Sequence, residues 1–190
     1  MKEYRTVCLV ILVAAASVAS ASLTISMPSL KDSVMRVEYT FLAEGRGTKE
    51  YVFPDNGFNF AAGPLHVLSV SETESGKELG WEMATPKSPP QKQAIKIFFA
   101  YPLTGKGVET RVVAEAKTRN MSVDEVGRFT YRYSTSHDVK FELPAGQAVV
   151  YTNYPVTVYE QAGHTVLEIR GTGGAKELMI KTRELKAGSE

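Results

Sequence analysis

His66, His137 and His164 are the only imidazoles in the chain, and none lies two or four residues from another. Those are the spacings at which a strand or a helix aims two rings at one metal ion. Asp138 follows His137 directly, but neighbours on a regular strand point to opposite faces and do not chelate together. Nucleophilic catalysis is no better served. Cys8 is the only cysteine, and no Gly-x-Ser-x-Gly elbow occurs. Aspartate is confined to Asp32, Asp55, Asp124 and Asp138, while Glu38, Glu142 and Glu168 fall at the polar phase of alternating runs, where solvated carboxylates stand. Two glutamates from distant strands could still form a glycosidase pair, which needs a cleft holding two acidic groups roughly 5–10 Å apart. Gly105-Lys106-Gly107 and Gly171-x-Gly173-Gly174 have no following helix whose amides would cradle a phosphate, so they read as turns. These patterns call for no metal and no cofactor.

The residues that would position any site are arranged as strands. Val34 to Phe41 partly alternates apolar and polar side chains and is rich in β-branched and aromatic residues. The same period of two recurs in Ile95–Phe98, Val108–Ala114, Phe129–Tyr133, Val139–Leu143, Val156–Tyr159 and Val166–Ile169, with a final strand over Glu177–Arg183. Gly, Pro, Asn and Ser separate these short runs, as in a sandwich or barrel. Pro54-Asp55-Asn56-Gly57, Pro144-Ala145-Gly146 and Gln161-Ala162-Gly163 supply turn chemistry, the last of them joining two strands as a hairpin. Thr85 to Gln93 holds three prolines and no large apolar residue, which predicts an exposed loop. Asn120 to Val126 is polar and acidic and reads as a linker or one short helical turn. No segment keeps a helical period over ten residues.

Lys2 and Arg5 precede the apolar run Val7 to Ala16, and Ala19-Ser20-Ala21 offers a small-x-small cleavage pattern. This reads as a secretory signal peptide over residues 1–21, cut after Ala21. The apolar run is shorter than the roughly twenty residues that span a bilayer, and the membrane is a partner only if the leader stays uncleaved as an anchor. Export would place the remainder in the periplasm or outside the cell, and would remove Cys8 as well. The exported chain then holds together by packing alone. At 43% apolar, 23% charged and a net charge of +1, it has an average globular composition and no bias toward nucleic acid.

Leu65-His66-Val67-Leu68-Ser69-Val70 is followed by Gly76-Lys77-Glu78-Leu79-x-Trp81, Ile95-Lys96-Ile97, Tyr101-Pro102-Leu103, Gly105-Lys106-Gly107 and Gly127-Arg128-Phe129. This order resembles the N-terminal β-domain of the gluzincin aminopeptidases and related envelope β-sandwich domains, over about a third of the chain. The resemblance implies a β-architecture. It implies no peptidase activity, because the His-Glu-x-x-His zinc motif of those enzymes is absent.

The expected fold is therefore all-β, an antiparallel β-sandwich. It is either one continuous domain or two Ig-like lobes in tandem, residues 22–118 and 119–190. A loose repeat supports the second arrangement: Tyr39 and Phe41, Phe53-Pro54 and Pro64-Leu65 are echoed by Tyr131 and Tyr133, Leu143-Pro144 and Pro155-Val156. Most aromatic rings must serve the core, each worth about 1.5–3 kcal/mol when buried. Phe98 and Phe99 are adjacent and so point to opposite faces, which predicts an outward ring for a partner. Phe99, Tyr101, Trp81 and Tyr154 are the expected contact residues. Asn120-Met121-Ser122 is an N-glycosylation sequon and marks a surface position at Asn120. The expected function is a non-catalytic binding or scaffolding module of the cell envelope or extracellular space, with a protein, a glycan or an apolar ligand as partner. An apolar-ligand carrier and a secreted hydrolase with a carboxylate pair are the alternatives.

Overall fold

The computed structural model describes residues 22–53, 58, 60–84, 93–135, 138–170 and 176–185. The expected leader, the Pro54–Gly57 turn, most of the Thr85–Gln93 loop, His137 and the Gly171–Gly174 connection lie outside the described residues.

The described residues form fourteen strands and no α-helix. In chain order they are β1 (Ser22–Ser29), β2 (Val34–Ala43), β3 (Glu50–Phe53), β4 (His66–Glu72), β5 (Gly80–Ala84), β6 (Ala94–Phe98) and β7 (Val108–Lys117). Then follow β8 (Met121–Val123), β9 (Phe129–Thr135), β10 (Val139–Glu142), β11 (Gln147–Thr152), β12 (Thr157–Gln161), β13 (His164–Ile169) and β14 (Lys176–Glu184). A seven-stranded sheet runs β12-β13-β10-β1-β2-β7-β4, a four-stranded one β11-β14-β9-β8, and a three-stranded one β3-β6-β5.

The large sheet draws strands from both sides of residue 118. Its join is β1, which pairs antiparallel with β2 and parallel with β10, so that Ile25 stands beside both Val37 and Phe141. All three are fully buried. Leu23, Ile25 and Met27 put one face of β1 into the core, and Thr24 and Ser26 take the outer phase.

Both smaller sheets cover the same face of the large one. From the three-stranded sheet, the Phe53 ring packs 4.4 Å from Phe41 and 5.1 Å from Tyr39. From the four-stranded sheet, Tyr131 and Tyr133 meet Phe141 edge-on at 5.4 and 5.9 Å. Tyr39 lies between the two groups and its hydroxyl bonds that of Tyr133. The buried side chains consequently form one continuous core. The loose repeat does not place its two halves equivalently: Tyr39 and Phe41 are on the large sheet, and Tyr131 and Tyr133 face it from the small one.

Turns follow their chemistry. Ala162 and Gly163 both adopt positive φ, 51° and 78°, and close the β12–β13 hairpin in two residues. Asn120 to Val126 contains neither a helical turn nor a linker. It holds β8 and the start of a tight hairpin, in which Asp124 Oδ1 accepts from the backbone N–H groups of Val126 and Arg128 and Oδ2 from Arg128 Nε at 2.7 Å. The backbone amide of Arg128, above all, holds the Asp124 carboxyl below its ordinary range. Gly107 precedes β7 at φ +71°, and a Cβ there would come within 2.8 Å of the Ala43 carbonyl oxygen. Gly127 has φ +75° with open space around it. Gly107→Ala is thus expected to cost about 2–3 kcal/mol, strain plus collision, and Gly127→Ala only about 1 kcal/mol. Thermal unfolding of the two variants checks that order.

Candidate functional site

Two surfaces among the described residues have the shape and chemistry to receive something. The first is a groove of about 570 Å³ on the outer face of the large sheet. Its floor is the small outward side chains of β1, Thr24 and Ser26, and its walls are charged side chains of β2 and β10. Register places them in two rows. Lys140, Thr24 and Glu38 stand side by side across three strands, and Glu142, Ser26 and Arg36 form the next row. Opposite charges therefore face each other over a hydroxyl in each row, and the polarity reverses between rows. Pro28, near the end of β1, and Pro144, two residues past β10, line one end. Lacking N–H groups, they cannot extend the ladder there. His164 also lines the groove, with Nδ1 3.1 Å from the Leu143 carbonyl. A carbonyl oxygen only accepts, so Nδ1 is the donor in this contact.

Each charge also has a partner on its own side of the groove. Glu38 accepts a bidentate pair from Arg111 at 2.6 and 2.7 Å. That hydrogen-bonded carboxylate raises the Arg111 pKa further. Lys140 bonds Gln161 and Glu142, each at 3.0 Å. Arg36 reaches Glu115 only at 3.9 Å, beyond hydrogen-bonding distance. Glu38 and Glu142 are the two carboxylates that share the cleft, and each accepts from a cation. No group of three or more His, Cys, Asp or Glu side chains among the described residues could hold a metal ion.

The second surface is the rim of the three-stranded sheet. Trp81 stands opposite Ile97 and Met83 opposite Ile95, and residues directly opposite share a face. Ile95 and Ile97 are fully buried, yet Trp81 is 39% and Met83 44% exposed. Their side chains continue the core face of the sheet along the open edge strand β5, where cover is incomplete. Tyr101, in the turn after β6, is 81% exposed.

The expected contact residues are thus divided. Trp81 and Tyr101 are at the surface, and Trp81 is on the core-side face of its sheet. Phe99 is 5% exposed and packed in the core. Its N–H bonds the Lys49 carbonyl and continues the β3–β6 ladder, so alternation turns Phe99 inward and leaves Phe98 outward beneath the Lys96 ammonium. Tyr154 packs against the core from its margin. Asn120 is half-buried, and its side chain bonds the Tyr131 hydroxyl. The aromatics expected to line a cavity between sheets instead fill the space against each other: Tyr39, Phe41, Phe53 and Phe58 are in mutual ring contact.

The sheet order and the shared core permit comparison with solved structures. The fold resembles the N-terminal domain of the M1 zinc aminopeptidases. An M1 zinc metallopeptidase from Deinococcus radiodurans superposes with a TM-score of 0.52 at 13% identity, covering 90% of this chain and 44% of that one. A point mutant of that enzyme with a Tyr-Ser-Ala substrate bound gives 0.53 at 12% identity, over 85% of this chain and 41% of that one. Native leukotriene A4 hydrolase from Saccharomyces cerevisiae gives 0.53 at 11% identity, over 85% and 28%. The chain spans less than half the length of these structures. No family model and no curated protein matches the sequence. The likeness is one of fold.

Register explains why the groove escaped the sequence reading. Thr24 and Ser26 lie just past the expected leader in a run short of large β-branched residues. Nothing local says that β10 will pair beside them. The alternation of β2 and β10 marks Arg36, Glu38, Lys140 and Glu142 only as outward-facing.

Proposed function

We propose that the protein is an exported, non-catalytic β-domain that holds a protein partner against the rim of its three-stranded sheet, in the cell envelope or extracellular space. The exposure of Trp81 and Met83 on the core-side face of β5 carries this reading. Large apolar side chains left open beside a well-packed core mark interaction surfaces, and Trp is enriched among the residues that dominate interface energies. The apolar leader supports export. The ion-paired carboxylates of the groove support a binding role.

The experiment is recovery of the protein from the cells that make it, with N-terminal sequencing and co-purification. The expected result is a chain beginning at Ser22 that brings down one partner, with recovery falling at least about tenfold in Trp81→Ala. Tyr101→Ala should have a smaller effect, because Tyr101 lies off the β5 face. A chain retaining residues 1–21 in full would overturn export. A partner recovered equally by Trp81→Ala, or no partner with either protein, would overturn the rim.

A further inference from the structure

The groove on the large sheet is a different surface from the rim, and its chemistry is specific. Its two lining cations, Arg36 and Lys140, are matched by two lining anions, Glu38 and Glu142. A balanced set has little net field to draw in a simple anion or cation. What it offers is a local dipole, Arg36 and Glu142 facing each other across the short Ser26 side chain.

Both ends of that dipole keep free capacity. Arg36 touches Glu115 only through Nη1 at 3.9 Å, so Nε and Nη2 have no protein partner among the described residues. Glu142 meets Lys140 through Oε1, leaving Oε2 without one. The hydroxyls of Thr24 and Ser26 on the floor likewise bond no protein group among the described residues. Two strand spacings separate the Arg36 and Glu142 backbones by about 10 Å. A charge-assisted hydrogen bond of about 2.8 Å at each end leaves about 4 Å for the ligand between upright side chains. That is the span from carboxylate oxygen to ammonium nitrogen in a small amino acid.

We propose that this groove binds a small zwitterion, its carboxylate on the Arg36 guanidinium, its ammonium on the Glu142 carboxylate, and the Ser26 hydroxyl beneath. Arg36 supplies a planar fork that matches a carboxylate. Ser26 contributes by being small, because a long side chain there would fill the space between the two charges. Pro28 and Pro144 limit the ligand's length at one end.

Titration of the purified protein with β-alanine, followed by backbone amide shifts, tests this. Acetate and methylammonium, the two halves of that probe, serve as controls. Saturable shifts confined to β1, β2 and β10 are expected with β-alanine, with either half at least about tenfold weaker. Arg36→Gln and Glu142→Gln should each weaken binding about tenfold, and Ser26→Leu should abolish it. All three side chains face outward, and unchanged near-ultraviolet signals from the buried tyrosines report that the variants are folded. Acetate binding as tightly as β-alanine, an unaltered affinity in Arg36→Gln, or no saturable shift would each overturn the proposal.

Discussion

Phe141→Ala is expected to lower the free energy of unfolding by about 3–5 kcal/mol. The ring is fully buried and lies where everything meets. Its strand, β10, is paired with β1 on one side and β13 on the other. Its face receives Tyr131 and Tyr133 from the four-stranded sheet at 5.4 and 5.9 Å. Truncation removes the transfer energy of the ring and leaves a cavity between two ladders that cannot collapse, because backbone hydrogen bonds fix the spacing of the strands. Against a total stability of about 5–15 kcal/mol for an ordinary domain, that is a large share. Urea unfolding should show a lower midpoint with an unchanged slope. Phe141→Leu, which keeps most of the volume, should cost less than half as much. A loss below about 1 kcal/mol in the alanine variant would mean that the four-stranded sheet does not pack here.

The second large effect is alkaline unfolding. Tyr39, Tyr131 and Tyr133 form a buried cluster in which burial, first of all, pushes each phenol above its ordinary value of 10.0. The Tyr39 and Tyr133 hydroxyls share a hydrogen bond, and the Tyr131 hydroxyl donates to the Met35 sulfur at 2.9 Å. A phenol whose folded pKa is raised favours the neutral form in the native state. Its contribution is complete below the unfolded value and is lost as pH climbs from about 10 toward the folded value. Each such group removes about 1.4 kcal/mol per pH unit in that window, so three together remove about 4 kcal/mol per unit. Phenolate absorbance followed against near-ultraviolet dichroism should show these rings ionising together with unfolding, as one step. Tyr133→Phe should shift the transition to higher pH. Stepwise ionisation of all tyrosines with the dichroism intact would contradict the cluster.

Much of the fold is legible in the residues, because strands with one buried face write their period into the chain. Val108 to Ala114 and Val139 to Leu143 alternate, and β7 and β10 lie there. Gln161-Ala162-Gly163 carries the left-handed turn that its glycine announces. The strand β1 is harder to see, because its serines and Pro28 give it weak strand propensity and pairing on both sides stabilises it. Asn120 to Val126 misleads because its acidic residues serve a hairpin rather than a helix, Asp124 holding the turn's backbone amides. Phe99 shows the limit of reasoning by alternation: the period says that Phe98 and Phe99 differ, and only the sheet's packing says which one is inside. The groove is the extreme case. Its residues come from three strands scattered along the chain, and no local signal encodes which strands will be neighbours.

The parallel pairing of β1 with β10 also sets an order of events. Leu23 meets Val139 only after most of the chain between them has been laid down, and contacts so distant in sequence slow folding toward the millisecond-to-second range. The hairpin of β1 with β2 closes locally and early. Until β10 arrives, one side of β1 is a bare edge carrying Leu23, Ile25 and Met27, a template for any other strand within reach. The residue order that places the groove's floor at the centre of the finished sheet therefore makes that same strand the most exposed to misassembly while the sheet is unfinished.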